Sequence, residues 1–443
     1  MNKIFSFLKR FAVLFCLLFA LCSEAKYNVV VFTLKNGLKV ICIEKKTSPI
    51  IFFSIWYNCG GKNDAISKSG VAHYLEHMAF CLDKMEFTNF LEDIGARNNA
   101  FTHINTICFH ETIPKEHIET VFFHESKRMK TISFDKKVFL SEKGAILEER
   151  SMRYDNDPDG AAQEAFLSNV FNREIGGIGV IGWRHEIESI QPRDLQDFHD
   201  KWFAPNNATI VIAGDFDLEQ IKTLIEKYFG SIPSKRIPKK TEKNSRADRF
   251  KEVKYGSPKN GSTSSVKYLY RTPFSSKENL RKSIALEVAV RTMNQPAFFI
   301  KKTLKDVLNN ATSVSFIYID RLLERDFILL EISARSIDDL RICENMLPSL
   351  INKLVKVGVS EKELEDVKRK YLIELAYKKD DIEDMSYYFG WLLICGYSIK
   401  EIQLIDDMVQ SITKKECDDL IKEVFSQKPF AVLRVEPKGY DRE

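Results

Sequence analysis

The chain has 443 residues, of which 44% are hydrophobic and 29% charged, and a net charge of +4 at pH 7. That is the composition of a soluble globular protein, on a chain too long for one ordinary core, so two or more domains are expected. So small a charge says little by itself about nucleic acid, which requires a concentrated basic face.

Lys3, Lys9 and Arg10 precede an apolar run from Phe11 to Cys22, and Ser23-Glu24-Ala25 then places small residues around a cleavage site. Residues 1–25 read as a secretory signal peptide, too short for a comfortable membrane span. Export to a periplasm or the outside is expected, with an uncleaved anchor as the alternative. A lipoprotein reading of Cys22 is weaker, because Leu21 is bulky where a small residue is wanted. Seven of the nine cysteines lie beyond Cys22, scattered and without a C-x-x-C. They read as buried small hydrophobes, although an exported protein leaves one or two disulfides open.

Phe32–Lys35 and Leu38–Ile43 flank Asn36-Gly37, which predicts a hairpin with a tight primed turn. Pro49–Tyr57 reads as an apolar strand. Ser69 is a candidate N-cap for a helix that begins near Gly70. Asn99–Thr112 alternates like one strand, Lys115–Lys130 and Lys136–Tyr154 read as helices, and Thr209–Ala213 as a buried strand ending at Gly214. Strands mixed with long helices, without regular alternation, predict an α+β fold with mainly antiparallel sheets. From Ser231 to Gly261 the pattern lapses into prolines and lysines, which marks a linker. Its basic run (Lys235, Arg236, Lys239, Lys240) reads as solvated, and no nucleic-acid partner is expected.

A faint repeat overlays Ile190–Asp215 on Ile412–Pro437 at a constant offset of 222. Arg193 and Asp194 fall on Lys415 and Glu416, Phe203 on Phe425, and Ile210 on Val432. The economical reading is two homologous domains of about 200 residues. We expect them at 26–230 and 262–443, with the linker at 231–261. All eight histidines lie at or before His199, so the second half has no histidine metal site.

The stretch richest in chemistry is His73-Tyr74-Leu75-Glu76-His77. On a helix, the two histidines lie about 40° apart on one face, one turn along, and can grip one ion. Glu76 is then placed to reach a water at that ion without ligating it. The H-E-x-x-H order of other metal hydrolases has the same angles in the opposite chain direction. Catalytic zinc usually needs a third protein ligand. Glu142 and Glu149, seven apart, share a face of the following helix, whereas Glu148 points elsewhere. The residues alone leave the choice between Glu142 and Glu149 open.

Several stretches together resemble the M16 family of zinc peptidases, particularly its short bacterial members. They are Leu34–Val40, Lys68–Phe80, Asn99–Thr102, Glu148–Arg153, Gly182-Trp183 and Ala204–Asp215. The resemblance implies Zn2+ held by His73, His77 and Glu149, with Glu142 supporting the site and Glu76 as the base for peptide hydrolysis. It also implies that Asn99 and Ala100 belong to an edge strand that holds substrate extended. His103, His110, His117 and His124 recur every seven residues but cross different elements, with His103 and His110 on opposite faces of the strand, so they are assigned no ligand role.

The resemblance breaks in the second half. Where many members carry an arginine and a tyrosine that reach the substrate, this chain has Lys305 and Thr312. Lysine lacks the planar fork of arginine, and threonine lacks the phenolic reach. A metal-bearing subunit completed by an M16-like partner that carries the arginine and tyrosine is therefore expected, with a homodimer as the alternative. Two other readings are a non-catalytic M16-like assembly or peptide-capture protein and a metal hydrolase of non-peptide substrates.

Overall fold

The computed structural model describes residues 28–81, 86–132, 135–171, 179–238, 250–257, 264–275, 279–308, 312–322 and 325–437. The segment read as a signal, together with Lys239 and Lys240, lies outside them.

The first half contains β1 (Asn28–Thr33), β2 (Lys39–Glu44), β3 (Ile50–Tyr57), α1 (Val71–Phe80), α2 (Glu86–Asp93), β4 (Arg97–Thr102) and β5 (Ile107–Pro114). There follow α3 (Ile118–Lys130), α4 (Lys136–Arg150), α5 (Pro158–Val170), α6 (Arg184–Ser189), α7 (Pro192–Trp202), β6 (Ala208–Gly214) and α8 (Leu218–Phe229). The second half contains β7 (Lys251–Ser257), β8 (Ser264–Arg271), α9 (Leu280–Met293), α10 (Phe299–Val307), β9 (Thr312–Leu322) and β10 (Arg325–Ala334). It ends with α11 (Ile337–Val357), α12 (Glu361–Asp380), α13 (Ile382–Ile394), α14 (Ile399–Gln403), α15 (Ile405–Ser411), α16 (Lys414–Phe425) and β11 (Ala431–Pro437).

The expected α+β organisation is present as two mixed sheets, ordered β1-β2-β6-β3-β5-β4 and β7-β11-β8-β10-β9. The faint repeat has a structural basis. Ile210 pairs in parallel with Val40 and antiparallel with Ile55. Its counterpart Val432 pairs in parallel with Glu252 and antiparallel with Tyr268. The matched acids Asp194 and Glu416 do one job, accepting the backbone N–H of Gln191 and Thr413 to close the helix starts. From β2 and β7 onward the two sheets share one strand order.

Four sequence expectations change. The Asn36-Gly37 hairpin closes with Leu34 N–H to Leu38 O and Gly37 N–H to Leu34 O, and Gly37 is at φ 90°. That is a three-residue loop with a left-handed glycine, not the two-residue primed turn. The single strand read over Asn99–Thr112 is two strands, β4 and β5, with His103 N–H bonded to Thr106 O in the turn between them. His103 therefore leaves the strand that His110 occupies. The helix read through Tyr154 is α-helical to Arg150 and then a π turn, Ser151–Asp155. Part of the stretch read as linker, Lys251–Ser257, is strand β7.

The halves interlock. β3 buries both faces, which explains its nearly unbroken apolar run. Ile51, Phe53, Ile55 and Tyr57 pack with the helices of their own half. Phe52 and Trp56 face the opposite way, against Met385 and Phe389 of α13. Reciprocally, Ala162, Phe166 and Val170 of α5 pack on Leu269, Leu329 and Leu433 of the second sheet. Among the described residues, no helix is long and apolar enough to cross a membrane. The seven cysteines beyond Cys22 are free thiols.

Candidate metal centre

The helix that carries the motif starts at Val71 after Gly70, which has a left-handed backbone conformation. Ser69 is not its cap, because the Ser69 hydroxyl accepts the N–H of Trp183. Asp64 takes the capping role from six residues upstream, accepting the N–H groups of Gly70 at 2.7 Å and Ala72 at 2.8 Å. Tyr74 fixes α1 to the next functional helix. Its ring stacks on Phe139 of α4 at 4.9 Å, and its hydroxyl donates to the Phe139 carbonyl. α4 begins on Asp135, whose carboxylate accepts the N–H groups of Lys137 and Val138.

This arrangement brings the predicted donors together. His73 and His77 stand edge to face, 4.7 Å between ring centroids. Both aim Nε2 at the same oxygen, Oε2 of Glu149, at 3.5 Å from His73 and 3.7 Å from His77. One ligand atom from each of the three residues lies within 4.8 Å of the others. Glu142 stands behind, with Oε2 at 3.1 Å from His77 Nδ1. Glu149 thus faces the Nε2 side and Glu142 the Nδ1 side, while Glu148 is exposed. Glu76, 8% exposed, lies beside them, and its Oε2 accepts a 2.6 Å hydrogen bond from Thr102 of β4.

The electrostatics follow from burial and these contacts. Burial, reinforced by His77, lowers His73 to about 4. Burial also opposes charge on His77, but the carboxylates of Glu149 and Glu142 outweigh it and raise its pKa. The hydrogen bond to His77 is the main influence lowering Glu149. Burial raises Glu76 against the opposing Thr102 hydrogen bond. Two imidazole nitrogens, one of them held neutral, and a carboxylate that converge on one point form a donor set suited to Zn2+.

Asn99 and Ala100 lie on β4, the edge strand nearest the site. The Ala100 N–H points away from the sheet and donates to Asn99 Oδ1 at 2.9 Å. Lys305 is on α10 of the second half, near Lys301. Among the described residues, no hydrogen bond or ion pair joins it to the metal cluster. The side chain of Thr312 lies outside the described residues. The remaining histidines of the seven-residue series serve packing: His103 against Trp391, His110 against Phe52 and Tyr387, His117 against Phe90, and His124 stacked on Phe87.

Sequence reasoning missed three contributors. Thr102 ends the family-like stretch Asn99–Thr102, but its reach to Glu76 depends on how β4 lies beside α1. Cys81, one turn after His77, places Sγ 3.8 Å from Glu142 Oε1. Arg153, one turn after Glu149, places Nη2 2.9 Å from Glu149 Oε1. The four-residue spacings were the available signals for the last two.

Residues 39–181 match the family model described as Insulinase (Peptidase family M16), and residues 189–371 match Peptidase M16 inactive domain. A Helicobacter pylori protein named Zinc protease PqqE is 28% identical over 215 residues, 46% of this chain and 48% of its own. The match thus spans about half the length of that relative. Among solved structures, a protease from Helicobacter pylori superposes with a TM-score of 0.83 at 20% identity, over 93% of this chain and 100% of that one. The periplasmic protease PqqL from Escherichia coli gives 0.73 at 18% identity, over 93% of this chain and 48% of its own.

Proposed function

The chain belongs to the M16 peptidase family, and we propose that it is a zinc-dependent endopeptidase with ligands His73, His77 and Glu149 and Glu76 as its base. The observation that carries this reading is the convergence of His73 Nε2, His77 Nε2 and Glu149 Oε2. Zinc, when bound, supplies Lewis acidity for water and for the scissile carbonyl. Glu76 removes the proton from the attacking water and returns it to the leaving amine. The Thr102 hydrogen bond holds Oε2, which leaves Oε1 to carry that proton. Glu142 accepts the Nδ1 proton of His77 and so keeps Nε2 as the ligating nitrogen.

Peptide recognition begins at β4. An extended substrate adds to this edge, and its carbonyl takes over the Ala100 N–H now satisfied by Asn99. That contact reads backbone, which favours unfolded segments over a fixed sequence. An M16-like partner supplies the arginine and tyrosine that this chain replaces with Lys305 and Thr312, and a homodimer, which lacks that pair, is the alternative assembly. Export rests on the sequence of residues 1–25. A protein used only for assembly or peptide capture needs no such donor set. Glu76→Gln tests the reading: it should keep zinc and lower kcat by about 10²–10⁴-fold. Normal peptide cleavage by that variant would end it.

A further inference from the structure

We propose that Arg153 determines specificity at this site by binding an acidic side chain of the peptide next to the scissile bond. The proposal rests on the peptidase reading and adds a substrate preference to it.

The geometry starts where α4 ends. Glu149 is in its last turn, and the chain passes directly into the π turn Ser151–Asp155. Irregularities of this kind re-aim the side chains that follow and recur at functional sites. Three arginines surround the turn, and two are spent on holding it. Arg150 is 4% exposed and clamps Glu164 through both terminal nitrogens at 2.8 Å. Arg184 holds Asp155 Oδ2 and Ser151 Oγ.

Arg153 differs from both. Its side chain is 66% exposed, and among the described residues its ion pair is a single one, Nη2 to Glu149 Oε1 at 2.9 Å. The other oxygen of Glu149 faces the histidines, so the guanidinium stands one carboxylate width from the donor cluster. Its field reaches His73 and Glu76 as well as Glu149. The bland alternative is a surface pair one helical turn apart, worth about 0.3–0.5 kcal/mol. That alternative does not explain a cation placed beside the donors of a divalent metal, where the two positive charges repel. An anionic ligand entering from the open side relieves the repulsion. The remaining N–H groups of Arg153 offer a carboxylate the forked geometry that guanidinium suits best.

The test uses matched peptides with Glu or Gln flanking one scissile bond, cleaved by wild type, Arg153→Gln and Arg153→Lys, with zinc content measured in each. Wild type should favour the Glu peptide by about ten- to a hundredfold in kcat/KM, mainly through KM. Arg153→Gln should erase that preference at unchanged zinc content, and Arg153→Lys should restore part of it. Equal discrimination by wild type and Arg153→Gln, or zinc loss that accounts for the whole effect, overturns the proposal. Should zinc-loaded wild type cleave neither peptide, both alone and with an M16-like partner that carries the arginine and tyrosine, the peptidase reading fails instead. Calorimetric binding of the same two peptides to wild type and Arg153→Gln then decides the role of Arg153: a Glu preference confined to wild type supports it, and none refutes it.

Discussion

Gly390→Ala should disturb the interlock between the halves at one point of close contact. Gly390 lies in α13 against the Trp56 indole of β3. An added Cβ there would sit 2.4 Å from Trp56 Cε2 and 2.6 Å from Cζ2 and Nε1. Carbon contacts are comfortable near 3.5–4.0 Å, so something must move by about 1 Å. The indole has little freedom to do so. It is 1% exposed, donates from Nε1 to Ser54 Oγ at 3.0 Å, and meets Phe101 edge-on at 5.5 Å. Overpacking of this kind costs about 1–3 kcal/mol. The strain should spread to β4, because Glu383 of α13 pairs with Arg97 of that strand. Urea unfolding followed by circular dichroism is the assay, on Gly390→Ala, Trp56→Phe and the double variant. The smaller ring makes room for the methyl group, so the double variant should be more stable than the sum of the single losses by about 0.5–3 kcal/mol. A wild-type urea midpoint for Gly390→Ala, or strict additivity, would refute this packing argument.

Three further outcomes are expected. Burial lowers His110 from its ordinary 6.5 to about 4, with Tyr387 OH at its Nε2. Because the folded value is depressed, its contribution is present above pH 6.5 and is lost as pH falls toward about 4, by up to about 3 kcal/mol. His110→Gln should flatten that part of the stability profile, and urea midpoints across the range will show whether it does. Asp64→Ala removes the cap of α1 and should cost about 0.5–2 kcal/mol, whereas Ser69→Ala should leave that cap intact; thermal melts of the two variants separate the assignments. Glu142→Gln should keep zinc stoichiometry but weaken affinity by about 10–100-fold in a chelator competition, and unchanged affinity would remove Glu142 from the site.

The parts of the molecule legible from sequence are those with a local period. His73, Glu76 and His77 show their common helix face through spacing alone, and β3 shows its burial through an unbroken apolar run. The choice between Glu142 and Glu149 is invisible to periodicity because both lie on one face of α4. It emerges only when the helix is seen against His77, one carboxylate at Nδ1 and the other toward Nε2. The β4–β5 turn escaped notice because residues 103–106 contain neither Gly nor Pro. The cap of α1 escaped because Asp64 folds back from six residues upstream, a contact no N-cap pattern encodes. The exchange of α5 and α13 between sheets was likewise hidden: an apolar helix face reveals that it is buried but not which sheet covers it.

On the proposed function, His73, His77 and Glu149 form one zinc site that serves peptide hydrolysis. Metal analysis of purified wild type beside Glu149→Gln, each followed by peptide cleavage, tests it most directly. Wild type should carry a single zinc ion per chain, with both zinc and cleavage strongly reduced in the variant. Full zinc occupancy in Glu149→Gln, or a wild type that takes up no zinc when supplied with it, would contradict it.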